Sequence, residues 1–101
     1  MSTTLTIPNE AIEAFCRKHR VQEFSLFGSV LRDDFRPDSD VDVLVAFAPA
    51  CTPSLEAWIA MREELATLFG NREIDLVERR RVTNPFRRHE IISTRRVLYA
   101  A

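Results

Sequence analysis

The spacing of hydrophobic and polar positions changes several times along the chain, and each change marks an element. Over residues 9–20, Ile12, Phe15 and Cys16 recur at helical spacing while Glu10, Glu13, Arg17 and Lys18 fall elsewhere. That predicts a helix, with Pro8 in a first turn where a missing N–H costs nothing. Residues 21–27 alternate instead, Phe24 and Leu26 apart from Ser25 and Phe27, as in a strand ending at Gly28. Ser29 suits the N-cap of a short helix over 30–34, and Arg36-Pro37-Asp38-Ser39 reads as a turn. Residues 40–47, Asp-Val-Asp-Val-Leu-Val-Ala-Phe, are β-branched enough to predict a second strand. Ser54 caps a long helix over 55–69, in which Leu55, Trp58, Ile59, Leu65, Leu68 and Phe69 lie near one face, and Gly70 stands where a helix C-terminal glycine belongs. A short strand over 73–77 surrounds Asp75, and Arg79-Arg80-Arg81 connects it to a last helix over 86–94 opened by Asn84-Pro85. Val97-Leu98-Tyr99 is a final short strand or an extended segment packed on the domain.

This order predicts an α+β fold, a small mixed β-sheet of at least three strands with helices packed on it. A length of 101 residues suits a single domain spanning 1–101. Such a domain buries roughly two-thirds of its unfolded surface, enough for a modest core. Cys16 and Cys51 show no metal-ligand spacing, and free thiols in a reducing compartment are expected. The N-terminal stretch lacks the basic start and apolar run of a signal peptide, and no apolar stretch approaches a membrane span, so a cytoplasmic protein without a membrane partner is expected. A net charge of −1 gives no bulk electrostatic case for nucleic-acid binding. The distribution is uneven, however. Five of the fifteen acids lie between Asp33 and Asp42, and seven of the fourteen bases lie between Arg79 and Arg96, a segment that is either solvated surface or a partner-binding stretch. His19 reads as a surface residue or a helix C-terminal cation, His89 as a surface residue, and Trp58 as core.

The acids of the second strand carry the candidate chemistry. Strand side chains alternate faces, so Asp40 and Asp42 point the same way, about 7 Å apart, while Val41, Val43 and Val45 point into the core. Two like charges side by side repel, and a hard divalent cation with a preference for oxygen ligands removes that cost. Asp75 interrupts the apolar run Ile74-Asp75-Leu76-Val77, where a buried charge would need a partner or a metal. If the two strands are neighbours, all three carboxylates share one sheet face. At Gly28-Ser29 a strand gives way to a helix start, an arrangement suited to phosphate oxygens, with glycine allowing close backbone approach.

Gly28-Ser29, ten intervening residues, Asp40-Val41-Asp42 and a later strand aspartate at Asp75 together resemble the DNA polymerase β-like nucleotidyltransferase superfamily. The run from Leu26 to Val45 is most similar to its minimal MNT-type branch, often antitoxins paired with a HEPN-domain RNase toxin. The resemblance spans nearly the whole chain and implies a polymerase β palm-like fold. It further implies that Asp40, Asp42 and Asp75 are the catalytic and metal-binding carboxylates for two Mg²⁺ ions, and that Gly28 and Ser29 hold the triphosphate of ATP. Arg32 matches an arginine of this branch that contacts phosphate, or else it pairs with Asp33 or Asp34. Val30, Leu31 and Asp33 depart from the small residues and glycine usual around that arginine. The implied activity is transfer of AMP from ATP to a hydroxyl, with a tyrosine of a HEPN toxin as the leading acceptor. Two alternatives stay open: a non-catalytic antitoxin that covers its partner, and a small-molecule nucleotidyltransferase whose acceptor surface comes from a partner or an oligomer.

Overall fold

A computed structural model of the protein describes residues 8–28 and 40–101. The readings made above for residues 29–39, among them the short helix, the turn, Ser29 and Arg32, lie outside the described residues. Helix α1 (Asn9–His19) leads into β1 (Val21–Phe27). Arg20 makes the join in the left-handed region, at φ 59°. Next come β2 (Val41–Phe47), α2 (Leu55–Leu68), β3 (Ile74–Glu78), a 3₁₀ turn over Arg79–Arg81, α3 (Pro85–Thr94) and β4 (Arg96–Ala100).

The strands form one mixed sheet in the order β3-β2-β1-β4. β1 pairs antiparallel with β2 and β4, and β2 pairs parallel with β3. The tail is therefore a strand, and the sheet has one more strand than the minimum of three. Gln22 is extra against β2 and Leu98 is extra against β1, two bulges that bend the sheet at its antiparallel edge.

Local signals fix the element ends. Ser54 Oγ accepts from Ala57 N at 3.1 Å, and Asn84 Oδ1 accepts from Phe86 N and Arg87 N. These are orphan N–H groups of a first helical turn, each satisfied by a capping side chain. α2 ends in paired reverse bonds, Asn71 N to Ala66 O at 2.7 Å and Gly70 N to Thr67 O at 3.3 Å, with Gly70 at φ 75°.

Two clusters sandwich the sheet. On one face, Phe24, Leu26, Val41, Val43, Val45, Ile74 and Leu76 meet Ile12, Phe15 and Cys16 of α1 and Met61 and Leu65 of α2. On the other, Phe27 and Leu44 meet Val82 and Ile91 under α3. Both faces being covered explains why β1 is buried on consecutive residues from Phe24 to Phe27 instead of alternating. The inward stripe of α2 differs from expectation. Leu55 is 74% exposed and Ile59 48%, whereas Met61 is buried. The stripe runs Trp58, Met61, Leu65, Leu68, the true three-and-four spacing, while Leu55 in the first turn stays exposed.

His19 is not a plain surface residue. Its ring packs on Phe15 at a centroid distance of 4.7 Å, and Nε2 lies 2.9 Å from Glu64 Oε2, tying α1 to α2. Burial pushes the Glu64 carboxyl up, but the hydrogen bond from His19 and the charge of Lys18 outweigh it and hold the group below its ordinary value. A depressed folded-state value contributes stability that is present above the unfolded value and lost as pH falls through the folded one.

Glu64→Gln is therefore expected to destabilise the protein by about 0.5–1 kcal/mol in urea at pH 7. At a pH below that depressed folded-state value the wild type should lose this advantage. A difference that is the same at both pH values would rule the pair out as its source. Ser25, fully buried on the α3 face, has a hydroxyl with no partner among the described residues. An unsatisfied buried hydroxyl is unfavourable by about 1–3 kcal/mol. Ser25→Ala is accordingly expected to leave the stability measured in urea unchanged or raise it, never to lower it by more than about 0.5 kcal/mol.

Candidate functional site

The parallel register of β2 with β3 sets Asp42 directly beside Asp75, and the antiparallel register of β1 sets Phe27 on the other side of Asp42. Adjacent register partners lie about 4.8 Å apart and project from the same face. Asp40 precedes β2 by one residue, two before Asp42, and so belongs to the same face at the same end of the sheet. The structure thus sets Asp42 beside Asp75, with Asp40 two residues before Asp42, at the sheet end where the C-terminal end of β1 meets the N-terminal ends of β2 and β3.

One expectation about Asp75 is corrected. It is exposed, so no desolvation forces a partner upon it; Asp40 is exposed as well and Asp42 half-buried. β3 is the outermost strand, and only Ile74, Leu76 and Glu78 turn to buried surroundings. What ties Asp75 to the other acids is register rather than burial.

Gly28 completes the corner. Its φ is 72°, and a Cβ built there would fall well within van der Waals contact distance of Asp42 Oδ2 and 3.1 Å from Asp42 Cγ. The Asp42 carboxylate fills the space that any side chain at position 28 would need. Glycine is therefore required twice, by the left-handed backbone and by the acid across the strand pair. Sequence reasoning found Gly28 through its link to phosphate binding and missed this packing role, which no linear spacing reveals.

The chemistry of the donor set is uniform: three oxygen-only anionic groups at one sheet end, the type that suits a hard cation such as Mg²⁺. Among the described residues no three His, Cys, Asp or Glu side chains already converge as a metal cluster.

The basic segment has a structural account. Glu23, on the same face at the far end of β1, is held by Arg95 at 2.8 Å and Arg79 at 3.2 Å. Glu78, only 7% exposed, is held by Arg80 at 2.7 Å and Arg81 at 3.2 Å. Four of the seven arginines in this segment thus pair with acids of β1 and β3. Glu78 was legible in outline, as an acid at a strand end just before three arginines; Glu23 was not, since its partners lie 56 and 72 residues away.

Comparison with known proteins agrees with this geometry. The family described as polymerase beta, nucleotidyltransferase, matches residues 9–101. The chain is 40% identical over 76 residues to protein adenylyltransferase MntA of Thermococcus cleftensis, covering 67% of this chain and 74% of that protein. A solved candidate minimal nucleotidyltransferase superposes with a TM-score of 0.70 at 32% identity, over 87% of this chain and 86% of that one. A toxin–antitoxin solved with AMP-PNP shares the fold, with a TM-score of 0.73 at 22% identity over 93% of this chain and 74% of that one.

Gly70 provides an internal control for Gly28, because it too has positive φ, 75°, but nothing lies within 4 Å of its Cβ position. Gly70→Ala is expected to destabilise by about 1–2 kcal/mol from backbone strain alone. Gly28→Ala should exceed it, and the excess should vanish when Asp42 is also replaced by Ala. An excess that persists in the double variant would show that the carboxylate is not what Gly28 accommodates.

Proposed function

The chain belongs to the polymerase beta nucleotidyltransferase family, and on that premise we propose that it transfers AMP from ATP to a tyrosine hydroxyl of a partner HEPN-domain toxin, acting as an antitoxin. The observation that carries the reading is the register pairing of Asp42 with Asp75, with Asp40 on the same face. The 40% identity to a protein adenylyltransferase supports protein as the acceptor class. The fold shared with a toxin–antitoxin solved with an ATP analogue is consistent with the antitoxin role.

In this reading Asp40, Asp42 and Asp75 would hold Mg²⁺, two ions for a displacement of this kind, and the bound ions would neutralise charge on the triphosphate and on the attacking oxygen. Every other part of the step belongs to the protein. By the family resemblance, Gly28 and Ser29 would hold the phosphates distal to the α-phosphorus, with Arg32 as a further phosphate contact unless it pairs with a nearby acid. Asp75, exposed at the sheet edge, accepts the proton of the acceptor hydroxyl. The hydroxyl oxygen bonds to the α-phosphorus, the bond from that phosphorus to the bridging oxygen breaks, and pyrophosphate leaves with the bonding pair. The product is a phosphodiester, which adds a negative charge and bulk to the acceptor.

Residues 1–101 act as one domain in this account. The cytoplasm is the compartment that supplies ATP, and free Cys16 and Cys51 suit its reducing conditions. Burial pushes the Cys16 thiol up to about 12, which keeps it unreactive there. Among the described residues no helix is long and apolar enough to cross a membrane.

With Mg²⁺ and α-labelled ATP, the wild type is expected to label a co-purified HEPN-domain toxin. Asp42→Asn should lower kcat by about a hundredfold or more. Asp75→Asn should lower kcat by about a hundredfold or more while leaving the KM for ATP within about threefold, the signature of a proton acceptor rather than a nucleotide ligand. Full neutralisation of the toxin by an Asp40→Asn/Asp42→Asn chain that transfers no label would replace transfer with simple covering as the mechanism.

A further inference from the structure

Beside the outer edge of β3 lies a cavity of about 440 Å³, bounded by Leu55 and Trp58 of α2, by Leu76, Val77 and Glu78 of β3, and by Arg81. Consecutive strand residues face opposite ways, so a cavity touching Leu76, Val77 and Glu78 together runs along the free edge of the strand rather than over either face. β3 is the terminal strand of the sheet, and among the described residues no strand lies beyond it. Its walls are mainly apolar. Leu55, 74% exposed, is the residue that expectation had placed in the core. Arg81 is engaged with Glu78 at 3.2 Å, so the cavity offers an apolar side chain more than it offers a phosphate.

Asp75 stands on this same strand, three residues before Glu78. We infer that the β3 edge is the docking track for the acceptor: an extended polypeptide segment adds along β3, seats an apolar side chain against Leu55 and Trp58, and thereby delivers a tyrosine hydroxyl to Asp75. Edge strands recognise extended peptides through their open backbone groups, while pockets beside the edge select alternate side chains. The spacing follows from the strand rise. From Asp75 to the level of Glu78 is roughly 10 Å at about 3.3 Å per residue, and Trp58 packs on the face opposite Asp75, so the apolar anchor lies an odd number of residues, about three, from the tyrosine. The inference rests on the transfer reading for its chemistry, and the docking track itself is separately testable by binding.

The probe is a set of synthetic peptides, each carrying a single tyrosine and a single leucine one to six residues away in a glycine–serine background. Label transfer from ATP is measured for each, together with backbone amide shifts of the chain on peptide binding. The expected kcat/KM peaks at a separation of three residues, about tenfold above the even separations. Leu55→Glu, at an exposed site outside the catalytic set, flattens that profile while the KM for ATP stays within about twofold. A profile independent of spacing, or one that Leu55→Glu leaves intact, overturns the docking track. If no peptide is labelled, the transfer reading is what fails for these acceptors, and binding decides the track. Shifts at residues 76–78 that Leu55→Glu abolishes uphold it, and no shift there overturns it.

Discussion

The candidate site depends on one constraint, the register in which β3 lies against β2. Val41 is paired with Ile74 and Val43 with Leu76, which sends all four into the core shared with α1 and α2. Asp42 and Asp75, one position along, are thereby sent together to the opposite face. A slip of one residue would turn Asp75 under α2 and bring Ile74 and Leu76 out to solvent. Burying an unpaired carboxylate there would be prohibitive, so the apolar residues choose the register and the acids follow it. The chemistry of one face is fixed by the packing of the other.

That second face is divided along its length. The acids occupy one end. The middle is sealed by Ile91 of α3 and by Val82 over Phe27 and Leu44. At the far end Glu23 is clamped between Arg79 and Arg95, residues on either side of α3. A single half-buried carboxylate thus fastens both ends of the α3 segment to β1. Glu78 does the same for the connector, drawing Arg80 and Arg81 back onto the end of β3. Breaking such a pair from one side leaves a poorly hydrated charge behind, which makes the clamps costly to open. Their effect on the site is indirect: these four arginines are engaged at the far end, away from Asp40, Asp42 and Asp75.

Much of this was legible in the sequence because the signals are local. Ser54, Gly70 and Asn84 each act within one helical turn, and each ends or begins a helix where a short-range rule places it. The alternation in Asp40-Val41-Asp42-Val43 is a property of any strand, so the shared face of the two acids followed directly. What escaped were features decided across the chain. Leu55 and Ile59 have the composition of a core stripe, but both stay exposed while Trp58, Met61 and Leu65 of the same helix turn inward. Asp75 was expected to be buried because its neighbours are apolar, yet an edge position exposes a residue whatever surrounds it in sequence. The contact of His19 with Glu64 spans 45 residues, and the pairing of β4 with β1 joins the end of the chain to its first strand. No periodicity encodes either.

The edge position of Asp75 resolves a tension in the design of so small a sheet. An open edge invites unwanted pairing with other chains, and short strands and charged residues are the usual protection. β3 has five residues, with Asp75 exposed and Glu73 exposed just before it, so the edge is short and negatively charged at the end nearest the site. The interior alternative, an acid on β1 or β2 alone, would be shielded from edge pairing but also from any acceptor larger than a small molecule. Asp42 on β2 is already half-buried and hemmed in by Gly28. If the acceptor is a polypeptide, as proposed, the outermost strand lets register align a carboxylate with Asp42 while solvent, and a partner, can still approach it from the side.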